Sequence, residues 1–399
     1  MVFGAQVVSY LGDWFAFVAL AGLVEDVTDS RFLVSLVLVS MTIPGLFMSP
    51  IAGSFADRFD RRKILIVVSV LQAFAALLLL LHSAAGIWIT FVAQCLIAGL
   101  AAFVGPSSSA SVPNLVDNDD DLRKTNALFG STWGTMLAVG AALGGVFAAA
   151  FGRNAAFIAN AISFVVAALL FSGVKRPMQS ERTQNSNQGR VRPIADMKEA
   201  INVAKKDPVI LALLCSKMTF AVGAGIVSQL AVLASNVFNV GDSGRGLLIG
   251  VRGIGSGLGP ILGARIAGRD MAKLLKVCGY AGLVFAVCYV GAALSPFIGM
   301  AAVFIALAHL SGGAQWTLST LGLQMEAPDH VRGRVIAGDM AMVNTMIGFT
   351  SILAGLTSQF IGVRPAIIIF AAAAAVASVV YLFATAGIIR RLRNETLQQ

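Results

Sequence analysis

Charged residues are scarce in this 399-residue sequence, where Asp, Glu, Lys and Arg together occupy 12% of positions. Soluble domains usually carry about 25%, so a soluble globular fold is excluded. Hydrophobic residues occupy 57% of positions, and the mean hydropathy is +0.82. The chain is therefore suited to an apolar environment.

Residues with catalytic or metal-binding chemistry are also few. The three histidines, His82, His309 and His330, are scattered, and the four cysteines lie inside apolar runs without the spacing of a metal site or a disulfide framework. No glycine-rich phosphate loop followed by Lys and Ser or Thr occurs, so ATP hydrolysis is not expected. We expect no enzyme activity, no cofactor and no metal.

Long apolar runs recur along the whole sequence. Each can cross a bilayer core of about 30 Å as a helix, which predicts an all-α membrane protein. The first run lacks a small-residue cleavage site and is expected to be structural and not a signal peptide. The twelve predicted spans are 3–24, 32–54, 64–83, 86–108, 127–150, 154–173, 209–236, 244–266, 274–294, 297–320, 335–360 and 365–388.

Basic residues alternate strongly between the connecting segments. Of the 29 Lys and Arg residues, four (Arg31, Arg153, Arg245 and Arg364) lie in one set of loops, two lie inside spans, and the remaining 23 lie in the other loops and the C-terminal tail. Basic loops stay in the cytoplasm, so both termini are predicted to be cytoplasmic, in an integral cytoplasmic membrane protein. The net charge of +9 reflects topology and does not indicate nucleic-acid binding.

The one long polar stretch divides the spans into two sets of six. Its second part places Ile194, Met197, Ile201 and Ala204 at helical spacing, which predicts an amphipathic helix on the cytoplasmic membrane face. The predicted domains are a six-helix bundle at 1–174, a cytoplasmic linker at 175–208 and a second six-helix bundle at 209–399.

The two halves share a constant offset of 210 residues. It aligns Gly53 with Gly263, Asp60 with Asp270, and also Gly145 with Gly355, Lys63 with Lys273, and DLRKTNA with HVRGRVIA. Parallel six-span repeats are an established transporter plan.

A dense charge cluster, GSFADRFDRRK, lies between the second and third spans. It resembles the loop signature of the major facilitator superfamily, G-x-x-x-D-R-x-G-R-R-K. Asp60 replaces the usual second glycine, as in the branch of macrolide and enterobactin exporters. The matching residues are Gly53, Asp57, Arg58, Arg61, Arg62 and Lys63.

The fifth span adds a second resemblance. Its GAALGG segment, with Gly140, Gly144 and Gly145, is similar to the antiporter motif G-P-x-x-G-G, with Ala141 in place of proline. In the fourth span, Cys95 stands where many relatives carry an arginine, which argues against arginine-based proton coupling there.

The resemblance gives the charge cluster a gating role. Gly53 would permit close approach of helix backbones, and Asp57 would face the positive N-terminus of a helix that begins near Val335. Arg58, Arg61 and Arg62 would pair with Asp57, Asp60 and the acidic run 119–121, closing the cytoplasmic side. The alternative is that these charges only set orientation.

Asp13 lies halfway along the first span and forms a stripe at helical spacing with Gln6, Ser9 and Phe17. The first span lines the central cavity in the resembled fold. Since burial favours the protonated form of a carboxyl group, Asp13 is predicted to couple protons. A structural contact is the alternative.

Four further polar residues lie inside spans, where ionisable groups are costly and usually functional. Arg252 could be the counter-ion of Asp13 or hold an anionic substrate group, and His309 shares a face with Gly312, Trp316 and Thr320. Lys217 could line the cavity or snorkel. Asp339 is a second proton-coupling candidate, or it favours its own helix N-terminus.

These observations predict a secondary active transporter that works by alternating access. The expected activity is proton-coupled efflux of small amphipathic or hydrophobic compounds, including multidrug substrates, by a monomer in the lipid bilayer. Export of an anionic metabolite or siderophore is one alternative, and a non-transporting receptor or lipid-handling protein is another.

Overall fold

A computed structural model describes residues 1–116, 119–178, 205–267 and 270–397. Within these residues, twelve helices are long and apolar enough to cross a membrane, which confirms the predicted fold class. The helices are α1 (Val2–Thr28), α2 (Arg31–Arg58), α3 (Arg61–Leu78, continued to Ala85), α4 (Trp88–Leu115), α5 (Asp119–Phe151), α6 (Arg153–Ser172), α7 (Pro208–Gly223, continued to Val237), α8 (Asp242–Ala267), α9 (Met271–Leu294), α10 (Ile298–Glu326), α11 (Asp329–Ile361) and α12 (Val363–Leu397).

The chain forms two compact units. The first comprises Met1–Arg190 and Asn239–Gly250, and the second comprises Val191–Phe238 and Val251–Gln399. The start of α8 thus groups with the first six helices, although the predicted boundary assigned it to the second half. The predicted domain limits themselves stay a prediction.

Backbone turns repeat at the 210-residue offset. Asp29 and Asn239, which follow the first helix of each half, both adopt left-handed conformations with φ of 49° and 55°. Gly152 and Gly362, which separate the fifth and sixth helices of each half, have φ of 85° and 92°, a region that side chains other than glycine rarely adopt.

Helix caps follow the same repeat. Asp60 accepts the backbone N–H of Lys63 at the start of α3, and Asp270 accepts that of Lys273 at the start of α9. A side-chain oxygen at this position satisfies an N–H group that has no partner within the helix. The aspartate that departs from the loop signature is therefore a helix cap.

Each unit has its own apolar core at the end where its first helix begins. Leu65 and Phe171 belong to the core of the first unit, and Leu213 and Leu275 belong to that of the second. All four side chains are buried. Because lipid is as apolar as these side chains, they stabilise each unit through close van der Waals packing.

The second half of the α7 span is irregular, which the sequence did not predict. After Gly223 the chain forms a 3-10 segment (Ala224–Gln229), a short α-helical turn and a π segment (Leu233–Val237). Gly225 approaches the backbone of Thr350 in α11 so closely that a Cβ atom would overlap its carbonyl oxygen. Interrupted helices of this kind often mark functional positions in membrane transporters.

Candidate functional site

A buried ion pair joins α7 to α11 in the second unit. The Lys217 ammonium group binds the Asp339 carboxylate, and their side chains are 1% and 0% exposed. Lys217 also donates to Thr320 Oγ1 at 2.8 Å and lies 5.0 Å from the ring centroid of Trp316. We call these four residues the Lys217 cluster.

The two charged residues meet because they lie at equal depth in their helices. Lys217 follows Pro208, the first residue of α7, by nine positions, and Asp339 follows Asp329, the first residue of α11, by ten. At 1.5 Å per residue, both lie about 15 Å along their helices. The predicted span, 335–360, agrees with the apolar stretch Val335–Ile361, but the helix begins six residues earlier, at Asp329. Counted from the start of the span, Asp339 is only one turn deep, so the sequence did not suggest the pair.

Polar contacts hold α10 against α7 beside this pair. The Gln315 amide donates to the Ser216 carbonyl at 2.5 Å and to Thr219 Oγ1 at 2.8 Å. Gln315 precedes Trp316, and Ser216 precedes Lys217, so these bonds fix both neighbours in the cluster.

The two oxygens of the Asp339 carboxylate differ in their hydrogen bonding. Oδ2 binds Lys217, whereas Oδ1 is buried and has no hydrogen-bond partner within the described part of the chain. A buried polar oxygen without a partner is uncommon and calls for a physical explanation such as a proton or bound water.

A second group, the His309 cluster, surrounds a buried imidazole. His309 Nε2 lies 2.8 Å from the Tyr289 hydroxyl, and Arg252 is close enough to act electrostatically on both side chains. Phe220 and Phe285 pack edge-on against the imidazole, with centroids 6.3 and 5.8 Å away.

Phe220 connects the two clusters. Its ring centroid lies 6.4 Å from that of Trp316, so an aromatic wall runs from the Lys217 cluster to the His309 cluster. The structure thus brings Lys217, Trp316 and Asp339 together, and it places Arg252 within electrostatic range of His309.

The predicted stripe of α1 is mostly buried in the first unit. Gln6 is 7%, Ser9 9% and Phe17 7% exposed, and Gln6 donates to the Tyr10 hydroxyl at 3.0 Å. Asp13 is half-buried and has no hydrogen bond or ion pair with another described residue. Its predicted pairing with Arg252, a residue of the second unit, stays a prediction.

Sequence reasoning missed a network of five charged residues in the first unit. The network lies at the C-terminal end of α1 and the N-terminal ends of α6 and α8. Arg245 of α8 binds Glu25 at 2.8 Å, Asp242 at 2.6 Å and Asp26 at 3.3 Å, and Arg153 of α6 binds Asp26 at 2.7 Å and Asp242 at 2.9 Å. We call this the five-residue network. One feature of the sequence could have predicted this network: Arg153 and Arg245 are two of only four basic residues in their set of loops.

A glycine makes room for this network. A Cβ atom on Gly22 of α1 would overlap the Asp242 carboxylate and lie 2.7 Å from the Arg245 guanidinium. The end of α1 therefore provides two carboxylates, from Glu25 and Asp26, and the space in which the arginines reach them.

The antiporter-like glycines are packing positions in the first unit. A Cβ on Gly140 or Gly144 would press on α1, 2.9 Å from Trp14 Cβ or 2.7 Å from Phe15 Cα. One on Gly145 would lie 2.5 Å from the Asp242 carbonyl oxygen and 2.7 Å from Gly246 Cα. The motif thus brings α5 against α1 and the first turns of α8.

The gating-loop residues are described only in part. The structure does not describe the surroundings of Gly53 or the side chains of Asp57, Arg58 and the acidic run 119–121. The predicted amphipathic helix also lies outside the described residues, with Ile194, Met197, Ile201 and Ala204. Arg61 donates to the carbonyl oxygens of Ala56 and Met178 at 3.1 and 3.3 Å, and Arg62 donates to that of Ser172. These arginines bind backbone carbonyls, and the predicted latch stays a prediction.

No group of three or more His, Cys, Asp or Glu side chains arranged to hold a metal ion occurs within the described ranges. The clusters offer buried charge and aromatic surface. Such groups can bind a proton or an amphipathic molecule.

Comparisons with known proteins agree with this architecture. The sequence profile of a major facilitator family described as transmembrane secretion effector matches residues 1–393. The chain therefore belongs to this family of major facilitator superfamily transporters. It is an integral membrane transporter and not an enzyme.

Similar proteins include exporters. BacE of Bacillus subtilis (strain 168), named as a bacilysin exporter, is 23% identical over 362 residues, which cover 88% of this chain and 86% of that protein. The staphyloferrin A transporter of Staphylococcus aureus is 23% identical over 377 residues, covering 90% of this chain and 89% of that protein.

The fold is also similar to that of solved structures. A bacterial homolog of the human lysosomal transporter Spinster, in an inward-facing and occupied conformation, gives a TM-score of 0.74 at 14% identity and covers 96% of both chains. At this identity the likeness shows the fold alone.

Proposed function

We propose that this transporter exports small amphipathic or hydrophobic compounds in exchange for protons by alternating access. Family membership and the printed names of relatives, which include a bacilysin exporter and a multidrug efflux pump, support the export direction. The observation that carries proton coupling is the buried Asp339 carboxylate, paired with Lys217 through one oxygen only.

Protonation of Asp339 would change the balance of charge between α7 and α11. The ionised carboxylate compensates the Lys217 ammonium, whereas the neutral carboxylic acid leaves that ammonium buried without a counter-ion. Such a state is strongly unfavourable, so a proton at Asp339 would favour separation of the two side chains. The proton equilibrium would thereby be linked to helix movement.

Asp13 is the second proposed proton carrier. It lies midway along α1, half-buried, without an ion pair to another described residue, and an isolated carboxyl group in an apolar span favours its neutral form. The two carboxylates would serve one unit each.

The aromatic wall suits the proposed substrates. Phe220 and Trp316 are partly exposed beside the Lys217 cluster. Phe220 packs against the buried Phe285, which in turn packs against the buried Tyr289. Binding sites for small molecules usually combine apolar walls with a few polar groups.

Transport in proteoliposomes tests this function. Ethidium, an amphipathic cation, should accumulate against its gradient only when a pH gradient is imposed, and a protonophore should abolish accumulation. Accumulation that persists with the protonophore would contradict proton coupling.

Export of an anionic metabolite or siderophore is the second candidate function. The buried positive charge of Arg252, within electrostatic range of His309 and Tyr289 in the second unit, favours it, as does the printed name of the staphyloferrin A transporter. Arg252→Gln should then abolish transport of the anionic dye fluorescein and spare that of ethidium, whereas equal effects on both dyes would contradict an anion site.

We also propose that both termini are cytoplasmic. The distribution of the 29 basic residues supports this orientation, which puts the five-residue network on the extracytoplasmic side. Reporters after Gln399 and near Asn187 should be cytoplasmic, and one at Asp242 should not be. An extracytoplasmic signal near Asn187 would overturn the six-plus-six arrangement.

The GSFADRFDRRK loop is proposed to gate the cytoplasmic side. Asp57→Asn removes a charge expected to face a helix N-terminus, whereas Arg62→Lys keeps its charge. Transport should fall more in Asp57→Asn, and equal transport by this variant and the wild type would reduce the loop to an orientation signal.

A further inference from the structure

An apolar groove of about 390 Å³ lies between α7 and α12 in the second unit. It extends from Pro208 to Val222 on α7 and from Ala377 to Ile388 on α12. At 1.5 Å per residue the α7 stretch is about 20 Å long, which exceeds half of a bilayer core of about 30 Å. The groove is therefore long enough to cross one leaflet.

The polar groups of the groove are already engaged. Thr219 and Thr385 donate to backbone carbonyls within their own helices at 2.7 Å each, and the Tyr381 hydroxyl is directed to the Leu275 carbonyl at 3.5 Å. A molecule in the groove thus meets mostly hydrocarbon. An acyl chain matches this surface, because it requires no hydrogen bonds.

Two basic side chains lie at the end of the groove where α7 begins. Lys205 and Lys206 immediately precede Asp207 and Pro208, the residues from which α7 and the groove start. Both lysines are exposed, and neither forms an ion pair with another described residue. They are available to an anionic group at the membrane surface.

Among the described residues, the acidic residues at the same end are Asp207, Glu326 and Glu395. Asp207 caps α7 by accepting two backbone N–H groups. Glu395 faces Arg391 at 3.6 Å, and Glu326 also lies within the electrostatic range of Arg391. The charge of these described acidic residues is thus directed to the helix cap and to Arg391, and none of them pairs with Lys205 or Lys206.

We propose that the groove binds an anionic glycerophospholipid from the adjoining leaflet. One acyl chain lies between α7 and α12, and the phosphate contacts Lys205 and Lys206. Basic pockets between transmembrane helices on the cytoplasmic side are known to hold anionic head groups. With the proposed orientation, the lipid belongs to the cytoplasmic leaflet.

Lipid retention by the purified full-length protein tests the head-group contacts. Native mass spectrometry in a neutral detergent would compare phosphatidylglycerol with phosphatidylcholine of identical acyl chains. The wild type should retain phosphatidylglycerol more strongly, and the combined Lys205→Gln and Lys206→Gln variant should lose about tenfold or more of that preference, since each basic group adds to the attraction. The matched control replaces Lys273 and Lys276, two cations at the start of α9.

A second variant tests the groove itself. Ala384 is exposed and lines the groove, whereas Ala372 is exposed on the same helix outside it. Ala384→Trp should reduce retention of both lipids, and Ala372→Trp should retain both lipids as the wild type does. The two variants and the wild type should have equal thermal stability in lipid-free detergent. Equal retention of the two lipids by the wild type, or unchanged phosphatidylglycerol retention in either test variant, would overturn the proposal.

Discussion

The two units pair their buried charges in different ways. The first places three carboxylates and two arginines in the five-residue network, where Arg245 has three acidic partners and Asp26 is 54% exposed. The second buries a single pair, Lys217 and Asp339, with side chains 1% and 0% exposed. The network tolerates neutralisation of one carboxylate, because each arginine has more than one acidic partner, whereas the buried Lys217–Asp339 pair does not.

This difference separates a structural role from a switching role. In the five-residue network, protonation of one carboxylate leaves each arginine with another acidic partner. In the Lys217 cluster, protonation of Asp339 leaves no nearby carboxylate within the described residues. Binding of one proton at Asp339 therefore causes a large change in the interaction energy of the Lys217 cluster.

The largest effect is expected for Asp339→Asn. It leaves the Lys217 ammonium buried and uncompensated, which should destabilise the second unit by about 3–5 kcal/mol. Thermal unfolding of the detergent-purified protein measures this change.

The double variant Lys217→Met, Asp339→Leu is the matched control. It removes both charges and should recover most of the lost stability, because apolar replacement of a buried ion pair is often neutral. Equal stability of Asp339→Asn and the wild type would show that the pair is not ionised.

A smaller effect is expected for Arg245→Gln in the first unit. The buried Glu25 loses its arginine, at a cost of about 3 kcal/mol, near the low end for a broken buried pair. Arg153→Gln should cost less in the same thermal unfolding measurement, because Arg153 is more exposed, at 19%. The reverse order would contradict the central position of Arg245.

The smallest effect is expected for Gly145→Ala beside the network. The added methyl group would lie 2.5 Å from the Asp242 carbonyl oxygen, and overpacking of this kind costs about 1–3 kcal/mol. Gly105→Ala in α4 is the control, since no atom lies within 4 Å of its Cβ position. The control should match or exceed wild-type thermal stability. If Gly105→Ala destabilised the protein as much as Gly145→Ala, close packing at Gly145 would not be the cause.

The sequence was sufficient to predict the twelve spans, because hydropathy reports directly on bilayer crossing. It misplaced the start of α11, which begins at Asp329 and not near 335. The first turns of this helix, DHVRGR, are polar and extend the helix beyond the apolar run. Hydropathy cannot detect helical turns that lie in water.

Within the candidate site, individual residues were easier to predict than their contacts. Lys217, Trp316 and Asp339 were each identified, because polar groups are rare inside spans. Their association depends on helix depth and rotation, which a single sequence does not provide. The irregular second half of α7 was missed because hydropathy does not report hydrogen-bond pattern, although Gly223 and Gly225 were a local signal.

The central claim is that protonation of Asp339 drives transport, with Asp13 as the second proton carrier. Substrate–proton exchange in proteoliposomes tests it most directly, with ethidium as substrate and the wild type, Asp13→Asn and Asp339→Asn compared at equal reconstitution. Both variants should lose accumulation driven by a pH gradient and keep downhill counterflow, which needs no net proton movement. Wild-type accumulation by Asp339→Asn would contradict the account.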